Sequence, residues 1–152
     1  QLARLIRRKP MPLTVITNSI PVTQELLGIA QVKLFVLGGQ LRSENLSSVG
    51  VYAEDALRRF WAEQLFLGSN AVHLEHGLSS HDPLEASINA VMLERSETRI
   101  LLSDSSKFGA RAMHCVAPLR SLHRIITDQR LPDHWSNALQ TTGVQLEMVE
   151  AA

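Results

Sequence analysis

The run Arg99-Ile100-Leu101-Leu102-Ser103 is apolar at its centre and stops abruptly at Asp104, Ser105, Ser106 and Lys107. A run this short, bounded by a polar turn, reads as a buried strand that delivers charge to its own C-terminal end. The pattern recurs: Leu13–Thr17 runs into Asn18 and Ser19, residues 32–37 into Gly38 and Gly39 with Arg42 close behind, and residues 64–67 into Gly68, Ser69 and Asn70. Helical segments lie between these runs. Such alternation predicts an α/β chain with a mainly parallel sheet and helices on both faces. Parallel strands place their C-terminal ends on one edge, where open sheets of this class hold ligands.

The helices follow from spacing and from breakers. Leu2, Leu5 and Ile6 give a short apolar face that ends before Pro10, and residues 21–29 read as a second helix. Ala53, Ala56, Leu57, Phe60 and Trp61 fall at helical intervals and predict a helix reaching Trp61; its apolar face reads as core, with a subunit interface as the alternative. Asp82-Pro83-Leu84-Glu85 has an N-cap residue, Pro at the first helical position and Glu at the third, the pattern of a capping box. Further strands are expected at 113–117, 124–127 and 144–149, with a helix near 133–140 and Gly143 as its stop. The polar stretch 40–48 reads as a loop.

Composition narrows the functional classes. Fifteen basic residues balance fifteen acidic ones, so no field here would hold a polyphosphate backbone. One cysteine, Cys115, excludes an internal disulfide and fits a reduced, cytoplasmic setting; in its apolar surroundings it reads as a small buried hydrophobe. No apolar run approaches the roughly 20 residues that a membrane helix needs, and the basic start at Arg7, Arg8 and Lys9 leads into a segment too polar for a signal peptide. The chain opens at Gln1 inside a helical pattern, which reads as a fragment of something longer. One domain is the default for 152 residues.

Together the strand ends point to a small, polar, anionic ligand: glycines admit a close backbone approach, short hydroxyls and amides form hydrogen bonds, and Lys or Arg answers a negative group. Structural readings stand beside these. Asn18 and Ser19 also suit a helix cap, Gly38-Gly39 a turn, Glu85 the capping box, and Asp104 with Lys107 a lined turn. His73, Glu75, His76 and His81 match no zinc motif, and no Gly-x-Ser-x-Gly elbow or nucleotide-binding glycine pattern is present, so neither metal nor cofactor is expected.

In order and spacing, several pieces resemble the C-terminal sensor domain of DeoR-type bacterial transcriptional repressors of sugar metabolism. They are residues 13–19, Leu37-Gly38-Gly39-Gln40-Leu41-Arg42, Val49-Gly50, Phe66-Leu67-Gly68, His76-Gly77-Leu78, Glu85-Ala86, residues 104–109 and Ile126-Thr127-Asp128. The resemblance implies a fold similar to ribose-5-phosphate isomerase and a non-catalytic effector site for a phosphorylated sugar or related metabolite. It also implies a homo-oligomer that meets operator DNA only through an N-terminal helix-turn-helix. Residues 1–152 would be the effector-sensing domain, without that helix-turn-helix and without the family's first strand and its phosphate loop. By this resemblance Thr17, Asn18, Ser19, Gly38 and Gly39 contact sugar or phosphate, Arg42 and Lys107 supply positive charge, and Asn70, Glu85 and Asp104 read hydroxyls. Where related isomerases carry an acidic pair, this sequence offers Asn70 and His73; Ala71 and Asn89 replace a family-typical Gly and Lys. Losing the paired acids favours binding without turnover. The alternative is a phosphosugar isomerase or related enzyme fragment with Glu85 as base and Lys107 as stabiliser.

Overall fold

In the computed structural model, which describes residues 1–150, the chain forms two compact units: Gln1–Arg59 and the residues from Phe60 onward. The first unit begins with α1 (Leu2–Arg8), none of whose residues is buried; Arg4 Nε reaches the Glu25 carboxylate at 3.2 Å and Arg7 Nη1 donates to Glu25 O at 2.8 Å. Strand β1 (Leu13–Thr17) feeds α2 (Ile20–Leu26), which returns the chain to β2 (Val32–Val36). The two strands pair in parallel, Leu13 opposite Val32 and Thr17 opposite Val36. The second helix stops at Leu26 rather than at residue 29, because Leu27 is already extended and Gly28 follows at φ +80°.

Residues 40–48 are not a loop. They form an antiparallel hairpin of β3 (Gln40–Arg42) and β4 (Ser47–Val49), turned at Leu46 with φ +52°. All three residues of β4 are buried, two of them serines, so no apolar alternation marks the strand. Helix α3 (Val51–Leu57) then ends short of the expected Trp61. Arg58 caps it, and Trp61 is 59% exposed with the Arg95 guanidinium 5.4 Å above its ring, an arrangement that shields an indole without burying it.

The second unit runs β5 (Ala62–Leu67), β6 (Ala71–His73), β7 (Gly77–Ser80), α4 (Pro83–Glu94), β8 (Ser96–Leu102), β9 (His114–Ala117), β10 (Arg124–Asp128), α5 (Asp133–Gln140) and β11 (Gln145–Val149). Its main sheet has the order β11-β10-β8-β5 with every neighbour parallel, the α/β architecture expected. Leu67, Leu101, Ile125, Leu139, Trp135 and Val144 meet in its core. Full burial of one such aliphatic side chain stabilises by about 1.5–3 kcal/mol.

Of the small antiparallel sheet β6-β7-β9, only β9 answers to a strand expected from the sequence, at 113–117; nothing marks the β6-β7 hairpin. Its middle strand, β7, is wholly buried yet half serine. Gly77 makes its closeness to β9 possible: φ is +71°, and a Cβ there would lie 2.1 Å from Ala117 O. Cys115, on β9, is exposed rather than buried. That strand sits at the sheet's edge with β7 as its neighbour, so its outward positions find no covering layer within the unit.

Candidate functional site

Because β5, β8 and β10 are parallel neighbours, the segments that follow them emerge on one edge of the main sheet. Asn70 follows β5, Asp104 and Lys107 follow β8, and Asp128 closes β10. Of the four polar strand ends expected on one edge, those after β5 and β8 share this sheet, whereas those after β1 and β2 belong to the separate two-stranded sheet of the first unit; hydrogen bonds organise the polar groups of the main sheet's edge into two clusters.

The first cluster centres on Ser80, 1% exposed. Its Oγ lies 2.7 Å from Asn70 Oδ1 and 2.5 Å from Glu85 Oε2, and accepts the Asp82 N–H at 3.2 Å. One hydroxyl carries one proton and cannot donate to two acceptors. Asn70 Oδ1 also accepts the His81 N–H at 3.4 Å, so turning the amide over to donate to Ser80 would set its NH2 against that N–H. Asp82 caps α4 as expected, accepting the Glu85 N–H at 2.8 Å with Pro83 next in line. Glu85 thus has its backbone in the helix cap while its carboxylate points back to Ser80. Sequence reasoning missed Ser80, whose signal was one more serine in a polar-looking stretch.

The second cluster is the turn after β8, a 3₁₀ turn at Ser105–Lys107 capped by Asp104. Asp104 accepts the Ser106 N–H at 3.1 Å and the Ser106 hydroxyl, and the latter bond does most to hold its carboxyl below the usual carboxylate value. Beneath it lies Asp128, 6% exposed. Asp128 Oδ2 accepts the Ser105 N–H at 2.8 Å, while Oδ1 accepts the Ser105 hydroxyl at 2.9 Å, Arg130 Nε at 2.8 Å and the Arg130 N–H at 3.1 Å. The Arg130 bond is the main reason this carboxyl sits far below its ordinary range. Asp128 had a place in the sequence pattern but no assigned role.

In the first unit the corresponding residues follow β1 and β2. Asn18 clamps β4, its Nδ2 donating to Ser48 O at 2.9 Å and its carbonyl accepting the Ser48 N–H at 2.8 Å. Thr17 is buried and its Oγ1 accepts the Ser19 N–H at 3.1 Å; Ser19 caps α2 through Val22 N at 3.4 Å. Gly38 has open space where a Cβ would stand. At Gly39, with φ +134°, a Cβ would come within 2.6 Å of Val49 O, so the hairpin requires glycine there. Arg42 Nε lies 3.9 Å from a Glu44 carboxylate oxygen.

His73, Glu75 and His76 come close enough together to suggest a cation site, with donor atoms within 4.8 Å of one another. The hydrogen bonds argue otherwise. His73 Nδ1 accepts the Glu75 and His76 N–H groups at 3.2 and 3.4 Å, which leaves the proton of the neutral ring on Nε2, and Arg111 Nη1 lies 3.0 Å from His76 Nε2. A metal ion would have to displace a guanidinium and invert that histidine's tautomer.

The family model of the DeoR C-terminal sensor domain matches residues 1–129, which include the Ser80 cluster, the turn after β8 with Asp128, and both strand ends of the first unit, but not Arg130. The chain belongs to this family. Among relatives of the DeoR-type sensor domain, a "Putative aga operon transcriptional repressor" of Escherichia coli O157:H7 is 35% identical over 149 residues, covering 98% of this chain and 55% of that protein. The "Uncharacterized HTH-type transcriptional regulator YulB" of Bacillus subtilis is 34% identical over 137 residues, 90% of this chain and 53% of its own length. The regulator IolR of Bacillus subtilis is 29% identical over 123 residues, 81% of this chain and 49% of its own length. The chain spans about half the length of the curated relatives it matches, and these relatives are named as transcriptional regulators. Among the described residues no helix is long and apolar enough to cross a membrane.

Proposed function

We propose that this DeoR-type sensor domain binds a phosphorylated sugar or related metabolite without turning it over, and that occupancy weakens operator binding by a helix-turn-helix elsewhere in a cytoplasmic, homo-oligomeric repressor of carbohydrate metabolism. The observation that carries this reading is the single edge on which Asn70, Asp104 and Lys107 follow parallel strands, with Glu85 of the first turn of α4 joined to Asn70 through Ser80; Asn70, Glu85 and Asp104 are each held by hydrogen bonds to neighbouring groups. Fixed acceptors suit sugar hydroxyls, and a lysine suits a phosphate. Within the first unit, taken by itself, Thr17, Asn18, Ser19, Gly38, Gly39 and Arg42 are proposed as ligand contacts, with open space at Gly38 for a close approach to its backbone.

Binding without chemistry is favoured by the company of the Glu85 carboxylate. Moving a proton between neighbouring carbons calls on paired acids, whereas the side chain that shares Ser80 Oγ with Glu85 is Asn70, an amide that takes up no proton. Regulation then requires only that ligand bind one arrangement of the repressor better than another. The test is a thermal-shift screen of sugar phosphates against the full-length protein, repeated with Lys107→Ala and Asp104→Ala. A binder whose shift disappears in both variants supports the reading; one whose shift survives both removes these residues from the site.

A further inference from the structure

We infer that Asp128 is the positioning residue of the effector site: it touches no ligand, but its carboxylate holds the turn that carries Asp104 and Lys107. The inference rests on the function proposed above. Asp104 and Lys107 belong to a four-residue turn with an exposed acid at its start. Within the turn, the Ser106 bonds to Asp104 and the Lys107 N–H to Asp104 O at 3.1 Å fix its shape but do not attach it to the sheet. The flanks are tied by the Ser103 N–H to Ile126 O at 3.2 Å and the Gly109 N–H to Val72 O at 2.8 Å, while the turn between them is attached through Ser105, whose N–H and hydroxyl both reach the buried carboxylate at the end of the neighbouring strand. Arg130, 74% exposed at its side chain, neutralises that carboxylate from the solvent side. Asp128 therefore spends its oxygens on one loop and one counter-ion.

The four donors leave an amide no acceptable orientation. In Asp128→Asn, an NH2 replacing Oδ2 faces the Ser105 N–H; turned over, it replaces Oδ1 and faces both N–H groups of Arg130. The turn should come loose with the rest of the sheet intact. Asp128→Glu keeps both oxygens and should restore part of the tether.

The experiment compares wild type, Asp128→Asn and Asp128→Glu in the full-length protein. It uses hydrogen exchange by mass spectrometry and calorimetric titration with ribose 5-phosphate and fructose 6-phosphate. Expected for Asp128→Asn is roughly tenfold faster exchange in residues 103–109, unchanged exchange in α4, and affinity for the bound sugar phosphate weaker by roughly tenfold, the scale of a lost hydrogen bond to a charged group. Asp128→Glu should fall between. Exchange in 103–109 within twofold of wild type overturns the inference, as does equal acceleration in α4, which marks general destabilisation. Faster exchange in the turn with unchanged affinity overturns it too. If wild type binds neither sugar phosphate, the functional reading loses its support while the exchange data still decide whether Asp128 holds the turn.

Discussion

Replacing Ser80 with alanine removes one oxygen from the point where β7, α4 and the segment after β5 meet. The hydroxyl is buried, lies 2.7 Å from Asn70 and 2.5 Å from Glu85, and accepts the Asp82 N–H at 3.2 Å. A hydrogen bond to a charged group contributes about 1.5–3 kcal/mol and a neutral one about 1 kcal/mol. The three share an atom and are not additive, and the Asp82 bond is long; a loss of about 2–3 kcal/mol follows. With a urea m-value of about 2 kcal/mol/M the midpoint should fall by about 1 M at constant m. Urea denaturation followed by circular dichroism measures it. Because Asn70 and Glu85 are proposed ligand contacts, Ser80→Ala should also weaken sugar-phosphate binding at urea concentrations where the fold is intact. A stability loss under about 0.5 kcal/mol, the scale of an ordinary surface substitution, refutes the claim that Ser80 organises this cluster.

Three further outcomes follow from the same geometry. The carboxyl of Asp128 is depressed below its unfolded value of 3.8, so its contribution is present above that pH and is lost as the pH falls towards the folded value; Asp128→Asn should flatten the acid limb of stability below about pH 4, and parallel limbs would contradict this. Gly77→Ala should cost more than about 2 kcal/mol, since a left-handed alanine alone costs about 1–2 kcal/mol and its Cβ would meet Ala117 O. Gly109→Ala, with φ +85° and open space around it, should cost only about 1 kcal/mol in the same melts; equal losses would mean that β7 and β9 are not as close as described. In a coupled isomerase assay the full-length protein should show no turnover of ribose 5-phosphate; turnover abolished by Glu85→Gln would make the chain an enzyme.

What was legible in the sequence was what a single segment encodes. The run 99–103 and its polar end became β8 and a capped turn, and Asp82-Pro83 became the start of α4, because strand burial and helix capping are local. The hairpins were not legible. Ser47, Ser48, Ser79 and Ser80 are buried serines in strands, and their partners, not their own hydropathy, explain their burial. Cys115 was misread for the complementary reason: an apolar run at a sheet edge has an exposed side. The tether from Asp128 to Ser105 spans 23 positions between neighbouring strands. Only strand order brings those two residues together.

The central claim is that the carboxyl edge carrying Asp104 and Lys107 receives a sugar phosphate. Calorimetric titration of the full-length protein with paired sugars, each in phosphorylated and unphosphorylated form, tests it most directly. Saturable binding of one phosphorylated sugar, at least tenfold tighter than its unphosphorylated partner and abolished by Lys107→Ala, is expected on the scale of one charge-assisted contact. Equal affinity for the two forms, or binding that Lys107→Ala leaves unchanged, would contradict the account.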